Sequence, residues 1–136
     1  MANEKEWGDM RSLLITERQV GGVTILDLAG TITVDADASR LKDTIDSLLR
    51  ERRTSVVLNL AAVSYIDSGG LGQLAACYAA LLKAGGGLKL LNVNERNAHL
   101  LSITRLITIF PTCETEDAAL RSFEAAAAAL ARVAAR

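Results

Sequence analysis

The chain has 136 residues, half of them hydrophobic, and a formal net charge of −1 at pH 7. This length fits one domain with a real core and is too short for two. The near-neutral charge and the 4% of aromatic residues exclude a basic nucleic-acid or membrane-binding surface and a base-stacking platform. No apolar run reaches the roughly 18 residues of a membrane span, and the polar N-terminus lacks a signal-peptide core. We therefore expect a cytoplasmic protein with a polar tail at residues 1–11 and one domain at residues 12–136.

Two strands joined by a tight turn open the predicted domain. Residues 13–20 and 23–30 are rich in apolar and β-branched side chains, and the glycine pair at 21–22 is a turn signal. Asp35 and Asp37 then introduce a helix whose apolar positions recur at helical spacing. These positions are Leu41, Ile45, Leu48 and Leu49. The first third of the chain therefore predicts a β-hairpin and an amphipathic helix.

Strands and helices alternate along the rest of the chain. Residues 55–60 and 88–93 are short apolar runs that predict buried strands, and residues 69–84 between them have the spacing of a helix that stops at consecutive glycines. The remaining predicted segments are a short helix at 94–106, a connector or edge strand at 107–111, and an alanine-rich helix capped by Thr115. This order predicts an α/β fold with a mixed sheet of four or five strands and about four helices. Functional sites of such sheets lie beyond the carboxyl ends of the strands.

The segment that links the strand at 55–60 to the next helix carries the most specific pattern in the chain. It reads SYIDSGGLGQL over residues 64–74. Asp67 and Ser68 are both good N-cap residues, and the unpaired N–H groups of a helix N-terminus favour an added anion. The sequence therefore places a serine hydroxyl at the positive end of a helix dipole, just beyond a buried strand.

Ser68 has three candidate roles. As a helix cap it needs no further function. As a catalytic nucleophile it needs a base, but the chain has a single histidine, His99, and lacks the Gly-x-Ser-x-Gly pattern of an esterase, so a serine hydrolase is the weakest alternative. As a phosphoacceptor it needs exposure and room for roughly two negative charges, which a helix N-terminus supplies. Asp67 is either a second cap or a group that positions the Ser68 hydroxyl.

The glycines of this segment do not form a nucleotide-binding loop. Such a loop needs Lys-Ser/Thr after its last glycine, and Gln73 and Leu74 follow Gly72 instead. We interpret Gly69, Gly70 and Gly72 as residues that let the turn bend tightly and keep its backbone accessible. Neither of the two cysteines fits a metal-ligand spacing, and we expect no metal, no cofactor and no catalytic residue.

The helix after Ser68 has one face without large or charged side chains. Opposite its apolar positions lie Gln73, Ala76, Cys77, Ala80 and Ala84. A solvated helix face usually carries charges, so coverage by a partner protein is one explanation for this face. Burial on both sides within the domain is the other explanation, and the residues alone do not decide between them.

Three segments of the chain match a known pattern. They read VVLNL at 56–60, YIDSGGLG at 65–72 and LKLLNV at 88–93. Together they resemble the STAS domain of bacterial anti-sigma-factor antagonists, over roughly residues 13–125, and the Asp-Ser-x-Gly-Leu-Gly core is the most specific part. The resemblance implies a single STAS-type α/β domain that catalyses no reaction.

The resemblance also implies a partner-switching role. Family members bind a serine kinase that doubles as an anti-sigma factor, which frees the sigma factor, and they let go when the kinase phosphorylates the serine that matches Ser68. A separate serine phosphatase restores the binding form. Asp67, Gly69 and Gly70 would support the phosphorylation site, and Gly69 stands where the family often has Ser or Thr, so Ser68 is the only hydroxyl in the turn. The expected kinase contacts are Leu71, Gly72, Gln73, Ala76, Cys77 and Ala80.

The implied partners are therefore an anti-sigma factor that is a serine kinase, and a serine phosphatase, but neither nucleic acid nor membrane. A homodimer is left open. The alternative is a STAS domain that does not switch and serves as a scaffold subunit of a larger stressosome-like or lipid-transport assembly. A negative charge at Ser68 weakens kinase binding in the first case and changes nothing in the second.

Overall fold

The computed structural model describes residues 13–33, 38–103 and 111–134, which contain five strands and four helices. The strands are β1 (Leu13–Val20), β2 (Val23–Ile32), β3 (Ser55–Ile66), β4 (Gly87–Leu91) and β5 (Thr112–Cys113). The helices are α1 (Ala38–Arg50), α2 (Ser68–Lys83), α3 (Glu95–Ile103) and α4 (Glu116–Ala134). The strand order is β1-β2-β3-β4-β5, with β1 antiparallel to β2 and all other neighbours parallel. The predicted mixed α/β sheet is confirmed.

Helices cover both faces of the sheet, because successive strand residues point to opposite sides. On β3, the side chains of Val56 and Leu58 belong to a large core cluster that also contains residues of α1 and α2. Val57 between them belongs to a smaller cluster with Ala119 of α4. The domain therefore has three layers, with α1 and α2 on one side and α4 on the other.

The ends of α2 and α4 follow the sequence signals. Ala84 is the C-cap of α2, and Gly85 after it has the left-handed φ of 89° that favours glycine. Thr115 caps α4 by accepting a hydrogen bond at Oγ1 from the Ala118 amide, at 3.1 Å. Asp35 and Asp37, which were predicted to introduce α1, lie outside the described residues, as does the predicted tail at residues 1–11.

Strand β3 is longer than the predicted 55–60 and continues to Ile66. Its second half lacks an alternating pattern in the sequence, but it pairs with the end of β2, where Gly30 lies opposite Val63 and Ile32 opposite Ile66. Two register shifts between β2 and β3, each with an extra residue on β3, accommodate this extension. Because the strand runs to Ile66, a single residue separates it from α2.

The boundaries around β4 also differ from the prediction. Strand β4 ends at Leu91 rather than at residue 93, because Asn92 has a left-handed φ of 59° that leaves the strand conformation. Helix α3 is described as far as Ile103, and residues 104–110 lie outside the described ranges. The predicted connector or edge strand at 107–111 therefore lies outside the described residues except for Pro111, whose carbonyl accepts the Leu90 amide at 2.9 Å, and β5 follows it. No helix within the described ranges is both long and apolar enough to cross a membrane.

A chain of polar side chains crosses the sheet on the face of α4. Arg18 on β1 pairs with Asp27 on β2 and, at 2.9 Å, with Glu116 at the start of α4. Asn59 on β3 donates to Asp27 at 2.8 Å and accepts from Asn92 at 3.0 Å. We call these five residues the outer-face cluster. Its hydrogen bonds connect β1, β2 and β3 to the residue that follows β4, and they tie α4 to β1.

Candidate functional site

Ser68 is the first residue of α2, and Asp67 is the N-cap. Asp67 has an extended backbone, with φ −94° and ψ 179°, and its carboxylate accepts a hydrogen bond from the Gly70 amide at 2.6 Å. The Asp67 carbonyl begins the helical ladder by accepting the Leu71 amide at 2.9 Å. Of the two candidate caps, the structure therefore assigns the cap to Asp67 and leaves the Ser68 hydroxyl without a capping role.

Gly70 brings the end of β2 against the start of α2. The Ile32 carbonyl accepts the Asp67 amide at 3.1 Å, and a Cβ added at Gly70 would fall far inside van der Waals contact with that carbonyl. The predicted role of Gly69, Gly70 and Gly72 in a tight bend is wrong. All three are helical, and the described glycines with positive φ are Gly21, Gly30 and Gly85. Gly70 is needed because a strand carbonyl occupies the space of its missing side chain.

The Ser68 side chain is exposed at this rigid junction. The amides of Ser68 and Gly69 belong to the first turn of α2, where no preceding helical carbonyl can accept them. A helix N-terminus with such amides attracts anionic groups. The position therefore combines an accessible hydroxyl, a fixed backbone and a favourable field for a phosphoryl group.

A surface cavity of about 250 Å³ adjoins Ser68. Its lining combines Tyr65, Asp67 and Ser68 from the β3–α2 junction with Arg96, Asn97 and His99 from α3. Among the described residues, no three potential metal ligands lie together there or elsewhere. We call this the Ser68 cavity.

Two asparagines hold α3 beside the Ser68 cavity. Asn94 caps α3 by accepting the Asn97 amide at 2.8 Å, and its own side-chain amide donates to the Val63 carbonyl of β3 at 3.1 Å. Asn97, only 1% exposed, donates to the same carbonyl at 3.3 Å. The start of α3 is thereby fixed to the strand that carries Ser68.

Sequence reasoning missed Tyr65, Arg96 and Asn97 as residues around Ser68. It considered His99 as a possible catalytic base and as an exposed or capping residue of its helix. The signal that could have found them is topological. Because β3 and β4 are predicted parallel strands, the segments that follow them leave the sheet at the same edge. The residues that begin α3 after β4 were therefore candidates to meet the residues that begin α2 after β3.

The structure divides the predicted kinase contacts into two groups. Gly72 and Ala76 are exposed and Gln73 and Ala80 half-buried, and these four fall along one side of α2. We call them the α2 stripe. Its members lie at helical spacing after Ser68, so the stripe and the serine form one surface.

Leu71 and Cys77 do not belong to that surface. They are 3% and 2% exposed and belong to the core cluster that includes residues of α1, because α1 packs against this side of α2. The prediction that Cys77 lies on the bare face is wrong, and neither side chain contacts solvent enough to bind a partner directly. Burial also raises the pKa of the Cys77 thiol to about 11, which keeps it protonated at neutral pH.

The fold agrees with the comparisons to known proteins. The STAS domain family matches residues 15–119, and the chain belongs to this family. An anti-sigma F factor antagonist from Paenibacillus polymyxa is 27% identical over 103 residues, which cover 76% of this chain and 88% of that protein. An anti-sigma-B factor antagonist from Bacillus subtilis is 41% identical over 58 residues, 43% of this chain and 53% of that protein.

Solved structures give the same result for the fold. The crystal structure of an anti-sigma factor antagonist from Mycobacterium paratuberculosis has a TM-score of 0.73 to this chain at 27% identity. The match covers 84% of this chain and 96% of that one. The expected STAS-type α/β domain is confirmed.

Proposed function

We propose that this protein is an anti-sigma-factor antagonist that is switched by phosphorylation of Ser68. In the unmodified state it binds an anti-sigma factor that is also a serine kinase, and the sigma factor is released. The observation that carries the proposal is the exposed Ser68 at the N-terminus of α2, in line with the α2 stripe. The relatives named as antagonists of anti-sigma factors support the same function.

The chain serves in this proposal as the substrate of a kinase rather than as a catalyst, and it works in the cytoplasm. The rigid junction around Ser68 suits that role. Asp67 fixes the first turn of α2 through Gly70, and the Ile32 carbonyl fixes Asp67. A kinase therefore meets a hydroxyl whose backbone is already ordered, and the transfer requires no unfolding of the domain.

Phosphorylation ends binding through charge. A phosphoserine adds about −1.5 to −2 charges at neutral pH. Next to it, the α2 stripe consists of uncharged residues, so a partner that fits this neutral surface meets a new charge at its edge. Covering the phosphate with that partner removes part of its water, and this desolvation cost opposes binding. Removal of the phosphate by a serine phosphatase restores the uncharged surface.

Phosphopeptide mass spectrometry tests the phosphoacceptor directly. The protein is incubated with ATP and the candidate kinase from its own organism, with Ser68→Ala treated in parallel. We expect one phosphate on the peptide that contains Ser68 and none on the variant. An active kinase that leaves Ser68 unmodified would favour a non-switching scaffold subunit instead.

A further inference from the structure

Arg96 has no carboxylate partner among the described residues, although it lies close to the proposed phosphorylation site. The described ion pairs involve Arg18, Lys42 and Arg53, and not Arg96. The Arg96 guanidinium lies instead over the ring of Tyr65, 5.9 Å from its centroid. This contact keeps a cation with unused donors at the wall of the Ser68 cavity.

We propose that a phosphate on Ser68 is held in cis by Arg96, with the His99 ring as a further hydrogen-bond donor, in the cavity between the start of α2 and α3. This inference rests on the proposed phosphorylation of Ser68 and extends it to the structure of the modified form. A guanidinium binds two phosphate oxygens through parallel N–H groups, and the free amides at the start of α2 add further donors. The arrangement gives the phosphate a fixed position within its own domain.

The helix that carries Arg96 also contains a buried acceptor without a partner. Asn97 is 1% exposed, and its Oδ1 atom has no hydrogen-bond partner within the described part of the chain. Buried polar atoms are normally satisfied by protein or by ordered water. The polar groups at the start of α3 therefore do not all satisfy one another.

The other charges around the cavity make a counter-ion necessary. Its charged or titratable side chains are Tyr65, Asp67, Arg96 and His99. Asp67 carries a negative charge directly beside Ser68. Without a nearby cation, a phosphate on Ser68 would be repelled by this carboxylate, and no side chain would offset the repulsion. Arg96 supplies that compensation, and Asn94 and Asn97 hold its helix in place.

The test is a phosphorus NMR titration of the full-length protein with phosphoserine installed at position 68 by amber suppression. The second pKa of a phosphoserine is about 6 in an unfolded chain, and a cation that stabilises the dianion lowers it. We expect a lower pKa in the native protein than in the same protein in urea. Arg96→Gln should raise it by about half a unit, as expected for a partly exposed charge pair, and His99→Gln should raise it by less.

The controls separate a local contact from a general charge effect. Arg50→Gln removes an exposed cation at the far end of α1, near the start of β3, and should leave the phosphate pKa at the wild-type value. Arg96→Lys should fall between wild type and Arg96→Gln. Proton spectra of both proteins show whether they are folded. An identical phosphate pKa in folded wild type and in folded Arg96→Gln would overturn the proposal.

This result is independent of the proposed function, because the phosphoserine is installed without a kinase. A lowered phosphate pKa combined with no kinase reaction at Ser68 would support the cavity and contradict the switch. Phosphorylation of Ser68 with no effect of Arg96→Gln would support the switch and contradict the cavity.

Discussion

The outer-face cluster and the Ser68 cavity are both built from charged and amide side chains, but they differ in how these groups are satisfied. In the outer-face cluster, Arg18, Asp27 and Asn59 use their polar atoms on one another. In the Ser68 cavity, Arg96 has no acidic partner among the described residues and Asn97 has an oxygen without a donor. A cluster whose polar groups hydrogen-bond to one another stabilises the fold. A cluster with unused donors and acceptors can bind another group.

The two regions also differ in how they depend on the backbone. The outer-face cluster joins side chains of β1, β2 and β3 and can lose a member without moving a strand. The Ser68 region depends on a close backbone contact, in which Gly70 meets the Ile32 carbonyl. We therefore expect substitutions at the serine region to have the larger effects on stability and those in the outer-face cluster to leave binding unchanged.

Gly70→Ala gives the largest expected effect. The new methyl group collides with the backbone carbonyl of Ile32, and overpacking of this kind costs about 3 kcal/mol of unfolding free energy or more when backbone must shift. Urea unfolding measures the loss. Gly72→Ala is the matched control two residues along the same helix, where nothing lies within 4 Å of the added Cβ.

Gly72→Ala should raise the free energy of unfolding, whereas Gly70→Ala lowers it. Alanine in an exposed helical position is favoured over glycine by about 0.5–1 kcal/mol. A Gly70→Ala protein as stable as Gly72→Ala would show that the junction is loosely packed, and the account of the rigid serine would then be wrong.

Asp67→Ala comes next in size. Loss of an N-cap side chain typically costs about 1 kcal/mol, and here the carboxylate caps the Gly70 amide. Ser68→Ala should change the free energy of unfolding by less than about 0.5 kcal/mol, as for other exposed positions without a structural role. Equal losses for the two variants, measured by urea unfolding at pH 7, would mean that Ser68 shares the capping role.

Asp27→Asn tests the self-satisfied cluster. Hydrogen bonds from Arg18, with a further one from Asn59, hold the pKa of the Asp27 carboxyl below its ordinary value of 3.8. The folded protein therefore binds this proton less readily than the unfolded chain does. The stabilisation is complete above pH 3.8 and is lost as the pH falls through the lower folded pKa.

The measurement is the urea midpoint as a function of pH, from neutral pH down to about 2. We expect wild type to lose stability more steeply than Asp27→Asn below about pH 4, where the unfolded carboxyl titrates. Kinase binding by Asp27→Asn at neutral pH should equal that of wild type. Parallel stability profiles for the two proteins would contradict the assigned role of Arg18.

Local signals predicted much of this architecture. The hairpin, the core face of α1, the start and end of α2 and the cap of α4 follow from turn residues, helical spacing and capping chemistry that act within a few residues. The position of Ser68 at the start of a helix that follows a strand is also predicted by such local signals. These features depend on neighbours in sequence, and the sequence contains them.

Features that depend on distant partners were not predictable in the same way. The second half of β3 has no strand pattern of its own and exists because β2 pairs with it. Cys77 is buried because α1 covers that side of α2, a choice that small residues leave open. Arg96 and Ser68 line the same cavity only because β3 and β4 are adjacent and parallel.

The most direct test of the central claim is calorimetric titration of the kinase, without ATP, with unmodified protein and with protein carrying phosphoserine at position 68. We expect measurable binding by the unmodified protein and binding at least about tenfold weaker by the phosphorylated one, which corresponds to about 1.4 kcal/mol. Equal affinity of the two forms, with both shown to be folded, would contradict the switch.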